Sequence, residues 1–168
     1  MASGQFFDPM VLLRVAPLIT SSASLSYCWA QNVFISIFAR PRNREKSNPL
    51  LPTYIEDWFY GYTSQLVATY TTTILTASAN LYYHRQILVA SNSARWYAAG
   101  AIFSAAHFAF VPAVAWKFTT IINNETKGNS VKVLDAWLRV HRFGSLTVDM
   151  LSWGCILIGV LKSVNIKV

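Results

Sequence analysis

Charged side chains are scarce in this sequence. Lysine, arginine, aspartate and glutamate make up 12% of its 168 residues, about half the share that is usual in soluble domains. Aspartate and glutamate together number only seven. A soluble domain of this size normally carries more surface charge, so the composition argues against an ordinary soluble fold. The length suits one domain, which we place at residues 1–168.

Cysteine is almost absent as well. Cys28 and Cys155 each stand alone inside an apolar run, and they form no CxxC pair. A redox dithiol or a thiolate metal site needs paired cysteines. The three histidines are scattered, so they do not favour a metal site either. The sequence therefore predicts two structural cysteines and no bound metal.

Long apolar runs dominate what remains. The runs that lack Asp, Glu, Lys and Arg almost entirely are Val15–Ala39, Trp58–Tyr83, Trp96–Trp116 and Phe143–Leu161. Each approaches or exceeds the roughly 20 residues that span a bilayer as a helix. We predict helices at about 9–39, 58–83, 96–119 and 131–162. The proline-rich segment RPRNREKSNPLLP between the first two reads as an exposed loop. Short connections make neighbouring helices antiparallel, so the prediction is an all-α integral-membrane four-helix up-down-up-down bundle.

The basic residues indicate a membrane orientation. The net charge is +7, but the lysines and arginines lie at the ends of the apolar runs, as topology determinants do, and not in a nucleic-acid-binding patch. Nine follow the first run or flank the third loop, and five lie on the opposite side. This bias predicts a multi-pass protein with loops one and three in the cytoplasm and both termini in the lumen. The endoplasmic reticulum is the expected membrane.

This orientation can be tested by glycosylation. The sequon at Asn124 lies in the third loop, so we expect it to stay unmodified in microsomes, because the glycosylation machinery is lumenal. An acceptor-bearing extension added to the N-terminus should be modified and should shift on glycosidase treatment. Modification at Asn124, or none on the extension, would contradict the orientation.

Two ionisable residues lie deep in the predicted spans. Asp149 shares a helix face with Ser145 and Arg142, and it lies about 10 Å from Arg142 along the axis. A carboxylate at that depth needs a partner from another helix, and it suits a general acid or base. His107 lies in the middle of the third helix, where Pro112 frees a backbone carbonyl nearby. It is a candidate for proton transfer.

We predict that these groups meet at one internal site. The candidate catalytic residues are His107, His141, Asp149 and Arg142. The candidate substrate-binding residues are Asn32, Gln65, Asn80, Trp137 and Trp153. Such a site would take a flat, mostly apolar molecule with a few oxygens, and Arg142 would stabilise an oxyanion. The alternative for each polar group is a purely structural contact between helices.

The segments NPLLPTYIEDWFYGY and AWLRVHRFGSL carry a resemblance to a known family. They resemble the small four-span membrane proteins related to fungal anthrone oxygenases. The family pattern of a tryptophan, a polar residue a turn later and an arginine corresponds here to Trp137, His141 and Arg142, with Arg142 directly after His141. The resemblance implies a membrane enzyme of secondary metabolism that acts on a lipophilic aromatic polyketide without flavin, haem or metal.

Three hypotheses follow for function. The first is a cofactor-free oxygenase acting on an anthrone-like polyketide intermediate. The second is a cofactor-free acid–base cyclase or isomerase that opens an epoxide or closes a ring on a polyketide or terpenoid. The third is a non-catalytic membrane adaptor whose polar groups serve only helix packing. The expected partners are a lipophilic small molecule and the lipid bilayer, without nucleic acid, and self-association into a homo-oligomer stays open.

Overall fold

The computed structural model describes residues 8–164, and within that range the chain forms helices and no strand. Three continuous stretches are long and apolar enough to cross a membrane: Pro9–Ala39, Ala94–Ile122 and Ser130–Val164. The prediction of an all-α chain is therefore confirmed, and these stretches support a membrane protein. The second predicted span, 58–83, lies in a helix that is less apolar because threonine, tyrosine and amide side chains interrupt it.

The observed helices are α1 (Pro9–Ala39), α2 (Arg44–Tyr83), α3 (Arg85–Ala90), α4 (Ala94–Ala106), α5 (Val111–Ile122), α6 (Ser130–Gly144) and α7 (Met150–Val164). Short 3₁₀ turns cover Pro41–Asn43 and His107–Phe110, and a π turn covers Ser145–Asp149. The 3₁₀ turn at His107–Phe110 joins α4 to α5, and the π turn joins α6 to α7. Neither turn breaks its helical stretch. The predicted helices at 96–119 and 131–162 fall inside these stretches.

The segment RPRNREKSNPLLP is not the exposed loop that its prolines suggest. It is helical from Arg44 onward, and both Pro49 and Pro52 lie inside α2. Each proline lacks the N–H that would bond to the carbonyl four residues earlier, which weakens a helix. Leu51 and Ile55, on the same stretch, have no exposed surface. Their burial stabilises the helix against the two missing bonds.

Contacts with α6 hold this first part of α2 in place. Asn48 Oδ1 accepts a hydrogen bond from the backbone N–H of Val131 at 2.9 Å, in the first turn of α6, where N–H groups lack partners within the helix. The guanidinium of Arg44 donates to the carboxylate of Asp135. None of these long-range contacts can be read from local sequence, which explains why the loop prediction was wrong.

Two apolar clusters occupy opposite ends of the structure. The loop-side core comprises Ile35, Leu51, Ile55, Phe118, Ile121, Val131, Leu134, Trp137 and Leu138. The terminal-side core comprises Ala77, Leu88, Tyr97, Ile156 and Val160. Between them lies a polar layer of buried or part-buried side chains, which includes Cys28, Tyr70, Ser104, His107, Asp149 and Ser152. Large apolar side chains are exposed along the outer faces, including Trp29, Phe34, Leu75 and Ile102, as expected of helices that face lipid.

Hydrogen bonds tie the helix ends together at the terminal-side core. Arg14 Nη1 donates to the carbonyl of Ser163 at 3.0 Å, and the Tyr97 hydroxyl donates to the carbonyl of Arg14 at 2.8 Å. Asn80 Nδ2 donates to the carbonyl of Leu13 at 2.6 Å. The start of α1 therefore meets the ends of α2 and α7 and the start of α4.

Helices α4 and α7 are in close contact at Gly100. A Cβ atom at this position would lie 2.4 Å from Ile156 Cδ1, and Ile156 is fully buried. The hydroxyl of Ser152 donates to the Gly100 carbonyl at 2.9 Å and lies 2.6 Å from the hydroxyl of Ser104. Small residues thus allow backbone contact in the layer that carries the polar groups.

Gly100→Ala should destabilise the folded protein by about 1–3 kcal/mol, because the added methyl group overlaps Ile156 in a packed interface. Gly154→Ala is the matched control, since nothing lies within 4 Å of a Cβ there, and replacing a helical glycine by alanine is otherwise favourable. Thermal unfolding of both variants in one detergent measures the difference. Equal midpoints would contradict the close α4–α7 contact.

Candidate active site

A buried histidine–aspartate pair lies in the polar layer. His107 Nδ1 and Asp149 Oδ1 are 2.9 Å apart, and Asp149 is only 4% exposed. The two residues come from different helical stretches, so the pair links the α4–α5 stretch to the α6–α7 stretch. The structure thus brings together the two ionisable residues that the sequence places deep in apolar runs.

Each member of the pair lies where the α-helical pattern changes. His107 opens the 3₁₀ turn between α4 and α5, and Asp149 closes the π turn between α6 and α7. Pro112 lacks the N–H that would bond to the carbonyl of Phe108, which accounts for the change on the first stretch. Single π turns inside α-helices frequently accompany functional sites.

The contact with Asp149 decides which nitrogen of His107 is free. A carboxylate accepts hydrogen bonds, so Nδ1 of His107 carries the proton that is donated to Asp149. When the ring is neutral, the lone pair is then on Nε2, on the opposite side of the ring. The ring also stacks on Tyr70, with centroids 3.9 Å apart and planes at 20°. Tyr70 is in turn held by its hydroxyl, 3.4 Å from Cys28 Sγ, so the imidazole is fixed from two sides.

His107 forms part of the wall of an apolar cavity. The cavity measures about 160 Å³, a size comparable to engineered apolar cavities of about 150 Å³ that bind benzene. Its lining includes Gln31, Trp58, Phe59, Tyr62, Leu66, Val67, His107, Phe108, Phe110, Val111, Val114, Phe118, Trp137, His141 and Gly144. Tyr62, Val67 and Val111 are also exposed on the outer surface. The cavity is therefore bordered on one side by the face that would contact lipid.

His141 and Trp137 form a second wall of the same cavity. Their rings stack with centroids 4.6 Å apart and planes at 12°. His141 Nε2 donates to the carbonyl of Cys28 at 3.2 Å, an acceptor that also receives a bond from Asn32 Nδ2. Of the predicted site residues, His107, His141 and Trp137 thus line the cavity, whereas Asp149 lies behind His107 and does not.

Arg142 is placed elsewhere. It is exposed and lines a groove between α1 and α6 together with Asn32, Arg40 and Ser145. Successive residues of a helix project about 100° apart, so the orientation that turns His141 toward the cavity turns Arg142 away from it. The expectation that one site contains all four ionisable residues is therefore not met, and Arg142 is not positioned as an oxyanion clamp in this cavity.

Three further predicted residues lie away from the cavity. Gln65 is exposed on the outer surface of α2. Asn80 bonds to the carbonyls of Leu13 and Thr76 at the terminal side. Trp153 Nε1 donates to the hydroxyl of Ser22 at 2.9 Å. For Asn80 and Trp153, the structure favours the alternative of contacts between helices.

Asn80 also contacts a buried histidine in the turn after α2. Nδ1 of His84 lies 2.9 Å from Asn80 Oδ1. Burial, together with the nearby positive charge of Arg14, lowers the pKa of His84 below its usual value of 6.5. His84 is therefore neutral at pH 7 and serves as a hydrogen-bonding partner at this end of the helices.

Gln31 is a polar cavity residue that the predicted site does not include. It is 5% exposed, lines the cavity, and its Nε2 has no hydrogen-bond partner among the described residues. The signal that could have found it is its place in a charge-free run, one position before Asn32. Within residues 8–164, no three His, Cys, Asp or Glu side chains are grouped so as to hold a metal ion.

Sequence comparison finds similar proteins in fungi. The chain is 27% identical over 155 residues to the epoxidase pydX of Acremonium sp., covering 92% of this chain and 96% of that protein. It is 26% identical over 152 residues to the probable epoxidase scpX of Mollisia scopiformis, covering 90% and 96%. It is also 26% identical over 147 residues to the epoxidase gkaX of Penicillium citrinum, covering 86% and 89%. No family model matches the chain, and no solved structure gives a significant match.

All three relatives carry the names of enzymes, so the prediction of an enzyme is confirmed. None is named an anthrone oxygenase, and that part of the resemblance is not confirmed. The likeness extends over most of each chain. The roles of His107, His141 and the other candidate residues stay predictions.

The hydrogen bond to Asp149 should fix the tautomer of His107. In ¹⁵N-histidine NMR spectra, we expect the His107 imidazole to have a protonated Nδ1 and an unprotonated Nε2. Its signal is distinguished from that of His84, whose Nδ1 also faces an acceptor oxygen, by its loss in His107→Phe. Asp149→Asn removes the obligatory acceptor, so this signal should move toward a mixture of tautomers. Asp135→Asn is the control, because Asp135 pairs with Arg44 far from the cavity. An unchanged His107 signal in Asp149→Asn would mean that the carboxylate does not hold the ring.

Proposed function

We propose that this protein is a membrane-embedded epoxidase of secondary metabolism that acts on a lipophilic aromatic polyketide. The observation that carries the proposal is the His107–Asp149 pair at the wall of an apolar cavity. The names of the fungal relatives support oxygen transfer over the other chemistries that such a pair could perform. The four long helical stretches would form an up-down-up-down bundle in the endoplasmic reticulum membrane, with lumenal termini.

His107 is the proposed general base. Its Nε2 lone pair takes a phenolic or enolic proton from the bound substrate, which leaves an electron-rich anion in the cavity. Asp149 is a positioning residue, because it does not reach the cavity. Its carboxylate orients the imidazole and stabilises the imidazolium that forms, as carboxylates do in other His–Asp pairs.

Epoxidation by O2 needs two electrons to reduce the second oxygen atom to water, and a hydroquinone-type substrate can supply both. A hydroquinone-type ring loses one phenolic proton to His107, and the resulting phenolate adds O2 at its ortho carbon to give a peroxide anion, whose outer oxygen takes that proton back. Loss of the second phenolic proton makes the adjacent ring carbon nucleophilic. This carbon bonds to the inner oxygen, the O–O bond breaks, and the released hydroxide takes up the second proton to leave as water. One substrate and one O2 thus give one quinone epoxide and one water, and no external reductant enters.

The cavity suits this chemistry because it is apolar. O2 and a lipophilic ring both dissolve better in hydrocarbon than in water, so they enter a dry cavity readily. Exclusion of water also protects the anion and the peroxide from premature protonation. Trp58, Phe118 and Trp137, which are packed edge to face or tilted against one another, give the cavity rigid aromatic walls.

The test is turnover under ¹⁸O2. A strain lacking the protein should accumulate a lipophilic metabolite, and membranes that carry the wild type should convert it with gain of one ¹⁸O atom. His107→Phe retains a flat ring against Tyr70 but has no base, so the rate should fall at least about 100-fold. Asp149→Asn should lower the rate about tenfold or more through loss of orientation. Conversion at wild-type rate by His107→Phe would refute the proposal.

Two glycine-to-leucine variants test whether the substrate binds in this cavity. Gly144 lines the cavity, and the atoms nearest to a Cβ there belong to the Phe110 ring, at an ordinary contact distance of 3.8 Å. Gly144→Leu should therefore fold and fill the space. It should abolish conversion, whereas Gly154→Leu, where nothing lies within 4 Å of a Cβ, should not. Conversion without ¹⁸O would favour a cyclase or isomerase at the same cavity. No conversion by any form, with altered partner binding, would favour a membrane adaptor.

A further inference from the structure

Two buried N–H donors at the cavity have no acceptor within the described part of the chain. They are Nε1 of Trp137 and Nε2 of Gln31, and the Gln31 amide lies near the Tyr27 hydroxyl without forming a full hydrogen bond to it. Gln31 is 5% exposed and Trp137 2% exposed, and both line the cavity. Buried donors in folded proteins are nearly always hydrogen-bonded, because a donor that loses water without a new partner is costly. Two such exceptions in one cavity wall require a physical reason.

Three aromatic rings pack around the indole of Trp137 within an otherwise aliphatic core. His141 stacks on it at 4.6 Å, Phe118 lies at 4.9 Å and Trp58 at 6.2 Å between ring centroids. Tryptophan is a donor only, so no rearrangement of its own ring can satisfy it. A molecule in the cavity is a source from which the missing acceptor can come.

We propose that Gln31 and Trp137 form a polar subsite that binds a carbonyl or phenolate oxygen of an otherwise apolar ring molecule. This rests on the proposed function, since the oxygen belongs to the substrate of the epoxidase. The subsite defines the substrate class more narrowly than the cavity does: a ring ketone, phenol or quinone is accepted, and a hydrocarbon of the same shape is disfavoured. Two neutral donors can stabilise negative charge on that oxygen without a buried arginine.

The subsite also explains how the cavity can work without Arg142. A guanidinium in an apolar cavity would be costly to desolvate, whereas amide and indole donors are cheaper to keep dry. The hydrogen bonds from these donors become stronger as negative charge develops on the substrate oxygen, when His107 takes the proton. The base and the donors then act on one conjugated system from within the same cavity.

The experiment compares two probes that differ by one oxygen. Binding of 1-tetralone and of tetralin to the full-length protein in nanodiscs is measured by equilibrium dialysis, with empty nanodiscs subtracted. The wild type should bind 1-tetralone about tenfold more tightly than tetralin, as expected of one or two satisfied donors. Trp137→Phe and Gln31→Leu should each lower this ratio several-fold, and the double variant should bring it close to one.

The chain provides matched controls for both substitutions. Trp153→Phe removes an indole already bonded to Ser22, and Gln65→Leu removes an exposed amide away from the cavity. Neither should change the ratio. In addition, Gln31→Leu should leave the thermal midpoint of the free protein unchanged or raise it, because an unpartnered buried donor is lost. A purely structural role for Gln31 would lower the midpoint.

The outcomes separate this inference from the proposed function. A wild-type protein that binds both probes equally, or a ratio that is unchanged in the double variant, overturns the subsite. If His107→Phe still abolishes ¹⁸O incorporation in that case, the epoxidase proposal stands without the subsite. If the ratio falls as expected but no form incorporates ¹⁸O, the subsite stands as a binding site and the epoxidase proposal fails.

Discussion

The carboxylate of Asp149 is the constraint around which the polar layer is built. Inside an apolar helical protein, it has little access to water, so a partner on another helix must satisfy it. His107 is that partner. Their contact places the π turn opposite the 3₁₀ turn and holds the two helical stretches together at mid-height, with the imidazole in the wall of the cavity. The stacking on Tyr70 and the close packing at Gly100 maintain the same layer from its other sides.

Much of the helical layout could be predicted from the sequence because it depends on composition. Charge-free runs of membrane-spanning length specify α1 and the two later helical stretches almost to the residue. Asp149 and His107 could be selected for the same reason, since an ionisable group in an apolar run has few structural uses. That they contact each other follows from depth: both lie near the middle of their stretches. The start of α2 was missed because distant contacts with α6 stabilise a proline-containing helix.

The rotation of each helix about its axis could not be predicted. In a soluble protein, a polar outer face fixes that rotation, but lipid-facing and buried faces are both apolar here, so the hydrophobic period carries little information. Gln65 and Arg142 were therefore assigned to the interior although both are exposed, and Asn32 was preferred over its neighbour Gln31. Only the packed structure distinguishes residues that project 100° apart on one turn.

The position of the cavity beside Tyr62, Val67 and Val111 has a consequence for ligand supply. A molecule that dissolves in hydrocarbon is already concentrated around the protein, so its occupancy is the product of partitioning and a local binding constant. A loose fit then suffices, and chemical selection can be left to a pair of donors and one base. Water-soluble analogues of the same ring would arrive from a far poorer reservoir, whatever contacts they could make once inside.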